Sequence, residues 1–429
     1  MNRNLLPVTA VTIATTLGVG TAGANGFTQP VAVSSSERPA NGITSGRPAI
    51  TPGGRFVVFA SFASNLVGGD TNDASDIFLR DRRAGTTQRV SLGDGGVQAE
   101  GNSFGPSISA DGRFVAFQSF APNLAAGDTN LQFDVFVRDR RTGTTRCVSV
   151  TAAGLPAGDR SRAPVISANG RFVAFFSLAS DLVPGSVTGL ENIFVRDLRT
   201  GITELVNVNS AEVPADRGSD SLGVAISADG RFVAFASNAT NLAPGFGGFP
   251  DVYVRDRQAG TTERIGVDPT GGQGDSASFE PAISADGRYV AFRSFASDLV
   301  PGDTNGQVDI FVRDRGTATT RLASIGTAPA DGDSEEPSIS PNGRFVAFTS
   351  GAGNLVPGDS NGLRDVFLRD LAAGRITRVS LGNAGTQGNG DSFGPAVSAT
   401  GRFVAFATAA GNLVPRFPVG VFVRFGPDR

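Results

Sequence analysis

The chain has no histidine and no tryptophan, and every one of its 37 Lys-plus-Arg residues is arginine. Without histidine there is no Ser-His-Asp or Cys-His nucleophile system and no His-ligated metal. Without lysine there is no Schiff-base chemistry. Cys147 is the single cysteine, so no intramolecular disulfide forms. It lies in the apolar run Cys147–Val150 and reads as a small buried hydrophobe. A net charge of −3 gives no case for nucleic acid. No window shows a sustained apolar period of 3.6 residues, so helix content is expected to be very low. Residues that end or bend strands are plentiful instead. The 57 glycines fit many tight turns.

The one long apolar run is at the start. Arg3 supplies a positive flank, Leu5 to Val19 an apolar stretch and Ala22-Gly23-Ala24 a small-residue cleavage site. Residues 1–24 therefore read as a secretory signal peptide, and the run is short for a membrane span. The expected location is secreted or periplasmic, with no membrane span left after cleavage.

The rest is repetitive. Similar text begins near Pro48, Pro106, Pro164, Val224, Pro281, Pro337 and Pro395, a period of about 58 residues and the mark of a repeat architecture. In the second copy, Ser107-Ile108-Ser109 reads as strand A and Asp111-Gly112 as a tight turn that tolerates positive φ. Phe114–Ser119 reads as strand B, Val135–Arg138 as strand C and Thr145–Ser149 as the outer strand D. B and C are apolar on both faces, so both faces need cover. Four strands in each of seven units predict an all-β, seven-bladed β-propeller filling residues 25–429. The last repeat lacks its own strand D, while Phe27–Ser34 resembles one. A ring closed by residues 28–34, completing the last blade, accounts for both observations.

This topology sorts the loops onto two faces. The A–B and C–D turns share one, with arginines such as Arg55, Arg113 and Arg171 expected to pair with the aspartates that end strand C; an anion-binding ring is the alternative. The B–C and D–A loops share the other, which is longer, more varied and acidic, and such loops usually carry function.

Four B–C loops carry chemistry. They place Asp70, Asn72, Asp76; Asp128, Asn130, Asp134; Asp303, Asn305, Asp309; and Asp359, Asn361, Asp365 at one spacing. A hard cation such as Ca²⁺ takes several oxygens from a short bendable loop. The pattern is similar to the calcium loops of integrin-type propellers, but two residues shorter and without their middle aspartate. Carbonyls, waters or a neighbouring blade then complete the shell. The alternative is that Asp and Asn cap the turn by Asx hydrogen bonds.

The unit Pro-x-Ile-Ser-Ala-Asp-Gly-Arg-Phe-Val-Ala-Phe-x-Ser, followed by Asp-(Ile/Val)-Phe-Val-Arg-Asp, resembles the WD-like propeller repeat of TolB-type proteins, with Ile or Val where that family usually has Trp. The same repeat forms the gating propeller of prolyl oligopeptidase-like enzymes; the chain ends inside the seventh blade, so their hydrolase activity is not expected. Oligogalacturonate lyase is also similar, but its metal site relies on histidine. No catalytic residue is assigned. The functional expectation is a monomeric binding propeller that engages a protein or a glycan through the loop face and is stiffened by calcium. The alternatives are a structural surface ring, or a glycan-active enzyme using carboxylates such as Asp333, Glu335, Glu336 and Asp391.

Overall fold

The computed structural model describes residues 26–219 and 223–426; the expected signal peptide lies outside them. The described residues form seven four-stranded antiparallel sheets. In blade 2 the order from the axis outward is Ser103–Ile108, Phe114–Ser119, Asp134–Asp139 and Thr144–Cys147. Blade 7 is built from Ser392–Val397, Phe403–Thr408 and Gly420–Phe425, and its outer strand is Phe27–Pro30 from the other end of the chain. Phe27 lies opposite Phe425 and Pro30 opposite Phe422. The Val31 amide continues the zipper onto the Val421 carbonyl at 2.8 Å.

Strands B and C form because their β-branched and aromatic residues suit a pleated surface covered on both sides. Phe117 stacks on Phe136 at 6.0 Å between ring centres, and the pair recurs in other blades, as in Phe59 with Phe78. Each apolar cluster is shared between neighbours: Ala116, Val135 and Val137 of blade 2 pack with Phe175 and Phe194 of blade 3. Burying each ring stabilises the fold by roughly 2–3 kcal/mol, and no blade achieves this alone.

The A–B turn makes the ring tight. Gly112 has φ +73, and a Cβ there would sit 2.4 Å from the Phe56 ring of the preceding blade. The relation repeats around the circle and closes it, with Gly54 held against Phe403 of blade 7.

Strand A differs from its sequence reading. It starts four residues earlier than Ser107, at Ser103, and its register shifts between Phe104 and Ser107. Pro106 has no amide for the ladder, and the residue before it is Gly105 at φ +58. A bulge absorbs the interruption without ending the strand. Strand D is shorter than expected, because Val148 and Ser149 turn inward, where the Val148 amide donates to the Val135 carbonyl.

On the turn face, six arginines meet the aspartates that end strand C: Arg55–Asp81, Arg113–Asp139, Arg171–Asp197, Arg231–Asp256, Arg288–Asp314 and Arg344–Asp370. The guanidinium hydrogen bonds hold the carboxyls of Asp139, Asp314 and Asp370 down at about 2. Their unfolded value is about 3.9. A depressed folded pKa contributes stability that is present above about pH 4 and is lost as pH falls through about 2. The melting temperature should therefore drop across that window, and Asp139→Asn should make the drop shallower. An unchanged acid limb in that variant would refute the pairing as its source.

Candidate functional site

The four Asp-x-Asn loops share one internal geometry. Asn130 donates its amide to Asp134 Oδ2 at 2.7 Å and to the Ala157 carbonyl, while its Oδ1 accepts from the Gln132 amide. Asn72, Asn305 and Asn361 make the equivalent bonds to Asp76, Asp309 and Asp365. The other oxygen of each strand-C aspartate takes a serine hydroxyl, as Ser149 to Asp134 and Ser324 to Asp309. The asparagines thus close Asx turns and tie the loop to the next D–A connection. Among the described residues no group of three His, Cys, Asp or Glu side chains is placed to hold a metal.

What faces the paired carboxylates differs between blades. In blade 1 the last residue of strand D is Arg89, within 3.5 Å of Asp70 and 3.6 Å of Asp76. In blade 6 it is Arg378, whose Nη1 lies 2.9 Å from Asp359 and 3.2 Å from Asp365. In blades 2 and 5 the same register holds Cys147, opposite Phe136, and Leu322, opposite Phe311. Burial pushes Asp134 and Asp303 up to about 6. It raises Asp128 and Asp309 as well. Burial also pushes the Cys147 thiol up to about 12, which makes it inert as a nucleophile.

The axial channel opens on this same loop face. In the six blades whose inner-strand bulge lies among the described residues, the bulge holds a residue of positive φ; in blades 5 and 6 it is Glu280 (φ 51) and Glu336 (φ 59). A side chain held there stores about 1–3 kcal/mol of strain, a feature that clusters at functional sites. Arg47 of blade 1 reaches across to both, 3.2 Å from Glu280 and 3.3 Å from Glu336. Arg293 and Arg364 hold Glu335 at 3.2 and 2.7 Å. The mouth is thus mixed in charge, where an acidic face was expected. Of the four candidate catalytic carboxylates, Glu335 and Glu336 stand at the mouth. Asp333 and Asp391 serve their loops, accepting from the Val308 and Arg364 amides.

Beside the mouth, across blades 1 and 2, lies an apolar surface that the sequence reading missed. Phe62, Phe104, Phe133 and Phe120 form a continuous chain of rings, with centres 6.1, 6.4 and 5.5 Å apart. Phe62 is 45% exposed and Phe120 44%, and Leu131 in the adjoining loop is also exposed. The signal was available at the end of strand B. There Ser-Phe-Ala occurs in blades 1, 2 and 5, and the other blades carry Leu178, Asn238, Gly351 or Ala409. A position that changes while its flanks repeat is not serving the common core.

No family model matches the chain, and no curated protein matches it. Solved structures do. The β-propeller domain of the Trilobed protease from Pyrococcus furiosus, described as having an open velcro topology, aligns over 91% of this chain and 95% of its own, with a TM-score of 0.54 and 14% identity. The shared feature is the fold. Oligogalacturonate lyase from Vibrio parahaemolyticus aligns over 94% of this chain and 99% of its own, with a TM-score of 0.52 and 12% identity. TolB from Acinetobacter baumannii aligns over 77% and 62%, with a TM-score of 0.42 and 16% identity. Where the Pyrococcus propeller is described as open, the ring here is fastened by Phe27–Pro30 on Gly420–Phe425.

Proposed function

We propose that this propeller is an exported binding module that holds a protein partner on its loop face, beside the channel mouth. The observation that carries the reading is the ring chain Phe62–Phe104–Phe133–Phe120, exposed at both ends. Large aromatics exposed together and rimmed by charge mark interaction surfaces. The rings are tilted against one another by 50–62°, so they form a ridge for a complementary pocket and offer a sugar ring no flat platform. This favours a protein over a glycan. Export rests on the signal-like residues 1–24. The mouth carboxylates Glu280, Glu335 and Glu336 are all engaged by arginine, which favours binding over catalysis.

The test is capture from the exported fraction by the parent and by a Phe62→Ser/Phe120→Ser variant. Both side chains are exposed, so the melting temperature should hold within the range of ordinary surface changes. Affinity for the captured partner should fall by about 30-fold or more, the loss of one hot-spot contact of about 2 kcal/mol. Equal capture by parent and variant overturns the reading. Glycan-array binding that disappears with the same two substitutions assigns the surface to a sugar instead.

A further inference from the structure

Compared blade by blade, the buried carboxylates where the B–C loop meets strand C have a cation beside them except in two places. Blades 3 and 7 have no aspartate at the start of strand C, where Asn192 and Gly420 stand, and no arginine at the end of strand D, where Leu205 and Pro30 stand. Blade 4 has one carboxylate, Asp251, and one arginine, Arg264, 3.4 Å away. Blades 1 and 6 have two carboxylates and one arginine. Blades 2 and 5 have two carboxylates and, at the arginine's position, Cys147 and Leu322.

The carboxylates left over are deeply placed. Asp128 is 7% exposed and Asp303 8%, with Asp134 and Asp309 fully buried. No ion pair reaches any of these four among the described residues, whereas Asp70, Asp76, Asp359 and Asp365 all have one. Two adjacent buried carboxylates without a cation are strongly unfavourable.

The sister blades show where a cation goes and what it touches. In blade 6 one nitrogen, Arg378 Nη1, bridges Asp359 Oδ1 and Asp365 Oδ2. That Oδ2 also accepts from Asn361, so the asparagine bond leaves a lone pair for the cation. Arg378 Nη2 reaches the Gly358 carbonyl at 3.5 Å, and in blade 4 Arg264 Nη1 takes the Pro244 and Gly245 carbonyls at 3.0 and 2.9 Å. A cation at this place therefore meets carboxylates and loop carbonyls, all oxygen. Gly127-Asp128 and Gly302-Asp303 repeat the Gly358-Asp359 step.

We propose that blades 2 and 5 each bind one Ca²⁺ between Asp128 and Asp134, and between Asp303 and Asp309, at the position that the arginine guanidinium takes in blades 1 and 6. Two protein carboxylates, the Gly127 or Gly302 carbonyl and waters make the oxygen shell, and the double positive charge balances the pair. So few charged ligands set a weak site, with Kd on the order of 10⁻⁴–10⁻³ M, as in extracellular modules. The proposal is independent of the protein-partner reading, because its test uses the metal alone.

Isothermal titration of the chelator-treated full chain with Ca²⁺ should give about two ions. At 10 mM Ca²⁺, about ten times the weaker Kd, the melting temperature should rise by roughly 2–5 °C. Leu322→Arg should leave one ion, and adding Cys147→Arg should leave none and abolish the calcium shift. Arg378→Leu should create a third site. Asp128→Asn and Asp303→Asn give the same loss of one ion each, should an introduced arginine prevent folding. No heat with the parent protein overturns the proposal. So does two-ion binding that survives both arginines, or an Arg378→Leu variant that gains no site.

Discussion

Deleting Phe27–Val33 should lower the melting temperature by roughly 10 °C and make the protein self-associate. Val31 and Val33 are fully buried, and each contributes about 1.5–3 kcal/mol. Thr28 is buried too. Its hydroxyl donates to the Leu381 carbonyl at 2.6 Å and accepts from Arg424 Nη1 at 2.9 Å. Net hydrogen-bond contributions of about 1 kcal/mol each bring the loss to about 5 kcal/mol or more, and a domain of this size loses at most a few degrees per kcal/mol. The deletion also bares Gly420–Phe425, a strand whose Val421, Phe422 and Val423 are buried. Such an unpaired apolar edge is a template for other chains. Calorimetry and size-exclusion chromatography read both effects. A truncated protein that melts and elutes like its parent would falsify closure by this strand.

Arg80→Met should cost about 3–5 kcal/mol, a larger loss than any exposed Arg–Asp pair on the turn face supplies. Arg80 is only 1% exposed. Its Nη1 donates to the Ser34 and Gly85 carbonyls and to Thr87 Oγ1, and its Nη2 meets Glu37. Ser34 belongs to the connection leaving blade 7, so the guanidinium staples blade 1 to the preceding blade. The arrangement repeats. Arg138 donates to the Leu92 and Gly93 carbonyls, Arg369 to Ile325, and Arg424 to Leu381 and Gly382. Methionine keeps most of the apolar stem but removes the donor from the Gly85 carbonyl and Thr87 Oγ1 and the cation from Glu37, and that penalty dominates. Lysine restores the charge but not the planar fork, so Arg80→Lys should recover only part of the loss. Denaturant midpoints at constant m-value measure both. A loss below about 1 kcal/mol for Arg80→Met would remove the staple from the account of stability.

Much of the ring is written in short-range text. The Asp-Gly-Arg turn, the doubly apolar Phe114–Phe117 stretch and the match between the first described strand and a missing last one are each visible within a few residues. They lead to the fold because every blade repeats them. The Arg113–Asp139 pairing was also legible, since a constant arginine and a constant aspartate on one face have each other as nearest opposite charges. Other features arise from register or from convergence. Arg378 meets Asp359 and Asp365 only because strand D pairs with strand C opposite Phe367. The bulges at Gly105-Pro106 and Glu336-Pro337 hid the upper half of strand A in blades 2 and 6, and with it the placement of Phe104 beside the channel mouth and of Glu336 at it. Phe62 and Phe104 come from different blades, and no local pattern announces that they touch. Glu280 was invisible as a special position because its positive φ is set by the inner-strand bulge.

The zipper between Phe27–Pro30 and Gly420–Phe425 also sets an order in time. Thr28 and Arg424 are 396 residues apart in the chain. Six blades can assemble as the polypeptide emerges, each from its own neighbouring strands, but Phe27–Pro30 has no partner until Gly420–Phe425 has been made. Loop-closure entropy places so distant a pairing late. Ring closure is then a single late docking event, and until it occurs both the free strand and the open side of the seventh sheet are available to chaperones and to other nascent copies.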